Sequence, residues 1–370
     1  MTLDLSLLPD GGIGWADASG PEGQIVLSSR VRLARNLQGL PFTVRARDDH
    51  REAVLEQVVK AGRSTRHLAD AAVVRLDRLE RSERQLLYER HLVSRELAGL
   101  DAAGGVRPAS ALLLGETLGV MVNEEDHLRL QSLRSGFAVS EAYAELDQLD
   151  SELGRQLCFA FHPEFGYLTA CPTNAGTGLR ASVLIHLPGL VLTKEIGKVL
   201  QGLSQVGLTF RGLYGEGSEV VGNFFQLSNQ TTLGKSEEEL LDHLVRIVRQ
   251  VIEYERLARD KLLSDAPNVV EDKVWRAYGL LRYARSLSFE ETMNLLSGVR
   301  LGVALNLINE VGVYTLNKLM IFTQPAHVAH LSGRQLSDPE LPMLRAEYVR
   351  RLLEEDARRL GGEGPRATGK

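Results

Sequence analysis

Apolar runs of strand length follow one another closely in the first half of the chain. Residues 110–114, 118–123 and 127–133 are such runs, and only three residues separate each run from the next. A link of that length joins antiparallel neighbours, because a parallel pair needs a crossover of about a dozen residues or more. The pattern therefore predicts an antiparallel meander.

Strand and helix patterns alternate through the remainder of the first 260 residues. Strand-like runs lie at residues 25–35, 71–76, 158–161, 167–170 and 208–214. Helix signals are the caps Asp48 and Asp49 for residues 50–61, a Ser82-x-x-Gln85 capping box for a helix through residue 97, and a helix at 140–156. We also expect an apolar helix after the glycine-rich turn at residues 176–178.

Helical spacing dominates from residue 236 onward. Ser236-x-x-Glu239 is a capping box, and the apolar residues that follow recur at helical spacing, which predicts one long amphipathic helix to about residue 263. Later helix signals are residues 271–285, a Ser288-x-x-Glu291 box, residues 301–322 and a Ser337-x-x-Glu340 box. The sequence predicts an α+β protein with an irregular lead-in (1–23), a sheet-containing domain (24–264), a helical domain (265–360) and a disordered tail (361–370).

Composition narrows the class of protein. The chain has 370 residues, 44% apolar and 25% charged, which is ordinary for a globular protein and more than one hydrophobic core usually supports. A net charge of −5 argues against direct nucleic-acid binding, which needs a basic surface to neutralise phosphates. Two cysteines are too few for a disulfide framework, and the longest apolar run, residues 181–192, is too short to span a bilayer. We expect a cytoplasmic protein without a membrane segment.

An acidic cluster follows the strand-like run at residues 118–123. The sequence Asn-Glu-Glu-Asp-His-Leu-Arg at residues 123–129 places three carboxylates side by side. Adjacent negative charges repel one another, so the cluster is stable only where cations or hydrogen-bond donors face it. An isolated cluster of this kind is usually a solvated turn. A cationic substrate becomes the better explanation when the arginines elsewhere in the chain are considered.

Arginines occur on several separate elements. Arg30 and Arg32 lie two apart on one predicted strand and share a face, which suits a polyphosphate as well as it suits a solvated strand edge. Arg129, Arg180 and Arg211 come from other elements. If these five side chains converge, they can bind a polyanion. A nucleoside triphosphate is the favoured anion, because phosphoryl transfer needs mainly alignment and neutralised oxygens.

A guanidinium substrate would give the carboxylates a partner. Its planar fork can contact two carboxylates, and it must lose a proton when its nitrogen attacks phosphorus. Since the pKa of a free guanidinium is above about 12, a positioned base is essential. The glycine-rich loop at residues 211–219 carries Glu216 and Glu219 and is of the kind that closes over substrates. The glycines at 176–178 lack the βαβ context of a dinucleotide-binding loop.

Four motifs together resemble the phosphagen (guanidino) kinases. They are Ser-Ser-Arg-Val-Arg at 28–32, Asn-Glu-Glu-Asp-His-Leu-Arg at 123–129, Cys-Pro-Thr-Asn-x-Gly-Thr-Gly-Leu-Arg-Ala at 171–181, and the Arg-Gly loop from residue 211. The resemblance implies a phosphagen-kinase-like catalytic domain with a large antiparallel sheet flanked by helices, followed by an all-α domain. Within that superfamily the chain is most similar to the bacterial protein-arginine kinases, on its short lead-in, its Tyr-Gly-Glu-Gly-Ser-Glu loop and its helical domain.

The resemblance implies roles for individual residues. Glu125 would be the catalytic base, and Glu216 and Cys171 would face the substrate guanidinium, with Cys171 as a thiolate that positions or polarises it. The nucleotide-binding residues would be Ser28, Arg30, Arg32, Arg90, His91, Arg129, Arg180 and Arg211. Mg²⁺ would accompany ATP, held mainly by phosphates and water without a protein ligand. We expect His127 to be a hydrogen-bonded structural residue and Cys158 a buried apolar one.

The implied activity is ATP-dependent phosphorylation of arginine side chains in proteins, which would mark proteins for regulated degradation in the stress response. Two alternatives are a kinase for a free small guanidino compound such as arginine, and an inactive adaptor that sequesters a regulator. The implied partners are protein substrates with exposed arginine, a zinc-binding activator protein, a Clp protease system and a heat-shock repressor. A homodimer is left open.

One motif departs from the family pattern. The helical domain of such kinases usually carries Arg-Asp-x-x-Arg-Ala for binding phosphoarginine, whereas this chain has Leu341-Pro-Met-Leu-Arg345-Ala346. The first arginine and the aspartate are absent. We therefore expect weak recognition of phosphoarginine by this domain.

Overall fold

Eight strands form one antiparallel sheet in the part of the chain that the computed structural model describes, which is residues 13–101, 105–213, 220–333, 337 and 339–361. The strands in chain order are β1 (Val26–Arg35), β2 (Ala72–Arg75), β3 (Ala111–Leu114), β4 (Leu118–Val122), β5 (Leu128–Ser135), β6 (Phe161–His162), β7 (Gly166–Tyr167), β8 (Leu179–His186), β9 (Leu208–Arg211) and β10 (Phe224–Asn229). The sheet order is β2-β3-β4-β5-β1-β8-β10-β9, and β6 pairs with β7 separately. The predicted meander is β3 to β5.

Helices cover the sheet and then form the end of the chain. The sheet-containing part holds α1 (Asp48–Gly62), α2 (Arg81–Glu89), α3 (Val139–Gly154), α4 (Pro188–Leu192), α5 (Ile196–Gln205) and α6 (Glu237–Asp265). The helical region that follows holds α7 (Pro267–Tyr283), α8 (Phe289–Ala304), α9 (Val313–Phe322), α10 (Pro325–Ser332) and α11 (Glu340–Gly361). The predicted capping box of α6 is present, because Ser236 Oγ accepts from Glu239 N–H at 3.1 Å and the Glu239 carboxylate accepts from Ser236 N–H at 2.8 Å.

One face of the sheet is apolar. On β1, Val31 and Leu33 are buried and join Val183 of β8 in a core that also includes residues of α3 and α6. Because side chains alternate along a strand, Arg30 and Arg32 must lie on the opposite face. The predicted α+β fold therefore has two chemically different sheet faces.

The opposite face is only partly covered by apolar residues. Leu87 of α2 packs with Leu112 and Met121 at the β2–β4 end. Another part of the face packs against the helical region, in a core that Leu184 shares with Val274. The rest of this face carries the arginines.

The segment after the glycine-rich turn is a strand, so the apolar helix predicted there is wrong. These residues form β8, whose side chains are buried at seven of eight positions. A continuous apolar run is compatible with a fully buried strand or with a buried helix, and its periodicity alone does not separate them. Pairing with β1 and β10 decides for the strand.

Two helix boundaries also differ from the prediction. The helix predicted at residues 301–322 is two helices, α8 and α9, and the break between them contains Asn306 with a left-handed φ of 57°. Helix α2 ends at Glu89 instead of residue 97, and its capping box uses Glu80 and Glu83, with Glu80 N–H donating to the Glu83 carboxylate at 2.9 Å.

Two expectations concern residues near the ends of elements. Cys158 is exposed, not buried: it lies in the segment between α3 and β6, which starts only at Phe161, and so is not part of a buried strand. In the predicted lead-in, Trp15 is buried within the core of the helical region. Residues 1–12 of the lead-in and residues 362–370 of the predicted tail lie outside the described residues.

Candidate active site

Strand register places the predicted arginines on one face of the sheet. Arg32 of β1 lies directly opposite Arg180 of β8. Arg129 of β5 lies opposite Ala34, which is on the same face of β1 as Arg32. Arg211 of β9 lies opposite Gln226 of β10. Since directly opposed residues in an antiparallel pair point to the same face, the side chains are gathered by pairing alone.

These side chains line a single cavity, which we call the arginine cavity, with a volume of about 970 Å³. The predicted site residues that line it are Arg30, Arg32, His91, Glu125, Arg129, Cys171, Arg180 and Arg211. The structure thus brings the basic residues, the acidic turn and the cysteine into one space.

Buried positive charge accumulates in the arginine cavity. Burial, together with repulsion from Arg129 and Arg180, lowers the pKa of Arg30 to about 10. Burial and the same kind of repulsion hold the pKa of Arg32 well below its usual value, and the described residues offer its buried Nε no hydrogen-bond partner. A bound anion would supply the missing acceptors and offset the repulsion. The cavity therefore suits a ligand with several phosphate groups.

Arg129 joins the basic side of the cavity to the acidic turn. It donates to the buried carboxylate of Glu124, and its Nη2 lies 3.4 Å from Oε2 of Glu125. Although burial disfavours its charged form, these two carboxylates raise the pKa of Arg129. Glu124 is therefore engaged within the protein, whereas the Glu125 side chain is 39% exposed on the cavity wall.

Glu125 has the properties of a proton acceptor. Burial raises the pKa of its carboxyl group; Arg129 opposes that shift, and Asp126 and Glu124 add to it. A carboxylate whose pKa is raised holds a proton more readily at the moment of transfer. Its position and its pKa direction both suit a general base.

Asp126 connects the acidic turn to the segment that carries Cys171. Its Oδ1 accepts from Asn36 Nδ2 and from Ala170 N–H, both at 2.6 Å, and the side chain is buried. Ala170 immediately precedes Cys171, whose sulfur lies 3.0 Å from Thr173 Oγ1. Asp126 is thus a structural member of the acidic cluster, and it helps to hold Cys171 near Glu125.

His127 makes the structural hydrogen bonds expected from the sequence. Its Nδ1 accepts from Leu37 N–H at 3.0 Å, so its Nε2 carries the proton and donates to Pro41 O at 2.9 Å. Burial lowers the pKa of His127, which favours the neutral ring that these bonds require.

Two predicted site residues lie away from the arginine cavity. Ser28 is buried and lines a small adjoining cavity together with Arg30 and His91. Arg90 turns toward the helical region, where its Nε donates to His327 Nε2 at 3.0 Å. Arg90 and His91 are adjacent at the end of α2, so the turn that brings His91 to the cavity directs Arg90 elsewhere.

Glu216, the second predicted acidic partner of the substrate, belongs to residues 214–219, which lie outside the described residues. Arg211, the last residue of β9, lines the cavity and lies three positions before this segment.

Sequence reasoning missed several polar residues around the cavity. Gln226 accepts from Arg30 Nη2 at 3.1 Å, and Gln131 donates to the carbonyl of His91 at 3.3 Å. Glu96 lines the cavity with Glu125. The sequence signal for the two glutamines was their position inside otherwise apolar strand patterns, because a buried polar side chain usually has a specific hydrogen-bond partner. Only the tertiary structure identifies those partners, because they lie on distant segments of the chain.

Among the residues that the structure describes, no group of three or more His, Cys, Asp and Glu side chains could hold a metal ion. No helix in this part of the chain combines the length and hydropathy needed to cross a bilayer.

Comparison with known proteins defines the class. Residues 53–258 match the family described as ATP:guanido phosphotransferase, C-terminal catalytic domain, and residues 267–361 match the protein-arginine kinase McsB C-terminal domain. The crystal structure of lombricine kinase superposes with a TM-score of 0.55 at 25% identity, covering 68% of this chain and 70% of the other. The substrate-free duplicated taurocyamine kinase from Schistosoma mansoni superposes with a TM-score of 0.57 at 25% identity, covering 78% of this chain and 44% of the other. The fold is therefore that of the phosphagen kinases, as predicted.

Closer relatives define the family within that class. A protein-arginine kinase from Pelotomaculum thermopropionicum is 44% identical over 340 residues, which is 91% of this chain and 94% of the relative. One from Moorella thermoacetica is 46% identical over 342 residues, 92% of this chain and 97% of the relative. The chain belongs to the protein-arginine kinase family of the ATP:guanido phosphotransferases, which confirms the resemblance found in the sequence.

Proposed function

We propose that this chain transfers the γ-phosphoryl group of ATP to the guanidinium of arginine side chains in proteins. The observation that carries the proposal is the arginine cavity, where arginines suited to a polyphosphate share one wall with Glu125 and Cys171. Likeness to protein-arginine kinases supports an arginine within a protein as the acceptor.

The donor side of the reaction uses the arginines. Guanidinium donors bind phosphate oxygens and neutralise the charge that builds up on them during transfer. We assign this role to Arg30, Arg32, Arg129, Arg180 and Arg211, with Ser28 and His91 next to them. Mg²⁺, held mainly by phosphates and water, would add positive charge at the transferred group. Arg90 is not assigned to this set, because it contacts the helical region.

The acceptor side uses the acidic turn and the cysteine. A guanidinium nitrogen attacks the γ-phosphorus, the bond from that phosphorus to the β–γ bridging oxygen breaks, and ADP leaves. The proton of the attacking nitrogen passes to the carboxylate of Glu125. Cys171, beside the hydroxyl of Thr173, orients the guanidinium, and Glu216 is the proposed second carboxylate.

Product analysis tests the proposed function. The purified protein is incubated with Mg-ATP and an unstructured protein that contains arginine, and the acid stability and position of the phosphate are then determined. We expect acid-labile phosphate on arginine, and its loss in the Glu125→Gln variant. Phosphate found only on serine or threonine would contradict the proposal.

Two other functions are separated by the same preparation. A kinase for free arginine or another small guanidino compound would turn over ATP faster with the free amino acid than with a protein substrate. An inactive adaptor would bind ATP without transfer, even with candidate activators present. The arginine and carboxylate set of the cavity favours an active enzyme over the adaptor.

We also infer a cellular setting from the family resemblance. The kinase would act in the cytoplasm, under a zinc-binding activator protein, on proteins such as a heat-shock repressor, and its products would be degraded by a Clp protease system during stress. Homodimerisation through the helical region is part of this proposal, and the net charge of −5 supports function without direct nucleic-acid binding. Faster Clp degradation of phosphorylated than of unphosphorylated substrate is the expected result.

A further inference from the structure

A buried polar chain crosses from the end of α2 to the start of α10. Glu89 is 3% exposed, and its carboxylate accepts hydrogen bonds from the backbone N–H groups of Ala326 at 3.1 Å and His327 at 3.3 Å. These N–H groups belong to the first turn of α10 and have no partner within the helix. Glu89 therefore caps a helix of the helical region from the sheet-containing part of the chain.

The ring of His327 extends this chain to Arg90. Nε of Arg90 donates to Nε2 of His327 at 3.0 Å, and Nδ1 of His327 lies 2.8 Å from Oε2 of Glu89. Because an arginine nitrogen can only donate, Nε2 is the acceptor and the ring proton lies on Nδ1, which donates to Glu89. Burial lowers the pKa of His327 and so favours this neutral ring. The His327 ring thus links the Glu89 carboxylate to the Arg90 guanidinium in one fixed orientation.

The residue after Arg90 lines the arginine cavity. His91 is 9% exposed and has a left-handed φ of 60°, which costs free energy in a residue other than glycine. Such a conformation persists where the surroundings fix it. Trp15 Nε1 donates to the carbonyl of Arg90 at 3.2 Å, and Gln131 donates to that of His91. The bond from Arg90 to His327 is one of the contacts that tie this segment to the helical region, together with the Arg90 guanidinium over the ring of Phe322, 5.5 Å from its centroid.

We propose that His327 is a positioning residue for phosphoryl transfer, which acts through Arg90 to hold His91 in the conformation that the nucleotide requires. This inference rests on the proposed binding of ATP in the arginine cavity. It makes the helical region a part of the nucleotide site, although no described residue of that region lines the cavity. If His327 has only a structural role, it helps Glu89 to attach the helical region, and substitution of His327 leaves the affinity for ATP unchanged.

Two substitutions of His327 separate its two bonds. His327→Asn can keep a donor near the position of Nδ1 for Glu89, but its shorter side chain removes the acceptor that Nε2 offers to Nε of Arg90. His327→Gln can place its carbonyl oxygen near the position of Nε2, so it keeps the acceptor for Arg90 and loses the bond to Glu89. We expect His327→Asn to raise the KM for ATP about three- to tenfold, as for one lost hydrogen bond, with a smaller change in kcat. His327→Gln should remain close to the parent protein.

A matched control lies on the same helix. His330 is exposed at the end of α10, so His330→Ala removes an imidazole from the helix and keeps every hydrogen bond that joins Glu89, His327 and Arg90. Its KM for ATP should equal that of the parent protein.

Tryptophan fluorescence supplies a readout that does not depend on turnover. The chain has two tryptophans, and Trp275→Phe leaves Trp15, whose ring centroid is 5.2 Å from that of His91. Titration of this protein with Mg-ATP should change the Trp15 emission. The half-saturation concentration should rise in His327→Asn and stay unchanged in His327→Gln and His330→Ala.

A second variant protects the test against misfolding. Arg90→Met keeps a long apolar stem but removes the donor, and it should raise the KM for ATP at least as much as His327→Asn does, because the guanidinium also contacts the Phe322 ring. The double variant should be no worse than Arg90→Met alone, because both substitutions remove the bond between these two side chains. Equal KM values for His327→Asn and His327→Gln, or additive effects in the double variant, would overturn the inference. Failure of the parent protein to bind Mg-ATP would instead refute the proposed function.

Discussion

Arg32 and Arg180 lie directly opposite each other in the β1–β8 strand pair and point to the same face of the sheet. Like charges in this relationship destabilise a sheet, and here burial and neighbouring guanidinium groups hold the pKa of Arg32 well below its usual value. Proteins retain unfavourable local arrangements of this kind mainly at functional sites. A bound polyphosphate would turn the repulsion between the two arginines into a shared attraction to the phosphates. The same arginines should therefore increase the affinity for ATP and decrease the stability of the ATP-free sheet.

Arg180→Ala should therefore have two opposite effects. It should weaken ATP binding and phosphoryl transfer together, by about tenfold or more, because a charged donor to phosphate is lost. It should also raise the melting temperature of the ATP-free protein, since Arg32 loses a repulsive partner. Calorimetric titration and thermal unfolding measure the two effects, and Arg211→Ala should reproduce the loss of ATP affinity.

Arg134 provides the matched control for that prediction. It lies on β5 opposite Ser29 and so points to the other face of the sheet, where its Nε donates to Glu145 at 3.1 Å. Arg134→Ala should leave the affinity for ATP unchanged. An equal loss of affinity in Arg134→Ala and Arg180→Ala would mean that the arginine face has no special role.

Glu125→Gln should separate catalysis from binding. The substitution keeps the shape of the side chain but removes the base, so turnover should fall by about 10²-fold or more while ATP affinity changes little. Single-turnover kinetics and calorimetry give the two quantities. Glu116→Gln, an exposed residue between β3 and β4, should retain full activity. A small loss of turnover in Glu125→Gln would show that another group accepts the proton.

The pH dependence of kcat/KM should report the environment of Glu125. A base works when it is deprotonated, so the rate falls as the pH drops through its pKa, and burial raises that pKa. On the acidic side of the profile, which we call the acid limb, kcat/KM should therefore fall with an apparent pKa above that of an ordinary glutamate, which is about 4.3. The Glu96 carboxylate contributes to the raised pKa, so Glu96→Gln should move the limb to lower pH. A limb that does not move would exclude Glu125 as its source.

Asp150 should be important for stability and not for chemistry. Its carboxylate accepts from Nε of Arg35 at 3.0 Å and from Nη2 at 2.8 Å, and both side chains are buried. Asp150→Ala leaves a buried guanidinium without its counter-charge, which should cost about 3–5 kcal/mol in the free energy of unfolding. Denaturant unfolding measures this loss. Asp49→Ala, which breaks an exposed pair with Arg47 in the first turn of α1, should cost less than about 1 kcal/mol.

Activation by free phosphoarginine through the helical region should be weak or absent. Arg345 is 2% exposed, and it donates to the carbonyl of Thr323 at 2.6 Å and to that of Leu287 at 2.9 Å. Leu341 and Pro342 stand where the family motif has an arginine and an aspartate. Loss of a bidentate charged partner weakens such a site by about 10²-fold.

The measurement is the initial kinase rate as phosphoarginine is added, for the parent protein and for Arg345→Ala. Both curves should be nearly flat. Strong stimulation that Arg345→Ala abolishes would mean that other charged residues complete the site. Arg334 and Asp338 are the candidates just upstream, and both lie outside the described residues.

The sequence by itself determined the features that depend on neighbouring residues. The meander from β3 to β5 follows from short links between apolar runs, and the start of α6 follows from the reciprocal hydrogen bonds of Ser236 and Glu239. The shared face of Arg30 and Arg32 follows from the two-residue repeat of a strand. These interactions are local, so a local pattern contains the information needed to predict them.

Tertiary structure decided the features that depend on pairing between distant segments. The continuous apolar run of β8 fits a buried helix as well as a strand until β1 and β10 pair with it, and that pairing also sets Arg32 against Arg180. Arg90 was predicted to bind nucleotide with His91, but His327, far along the chain, holds it on the helical region. Asp126 has the same acidic group as Glu125, yet its bond to Ala170 makes it structural. Side-chain type fixes what a residue can do chemically, and only the long-range packing selects its partner.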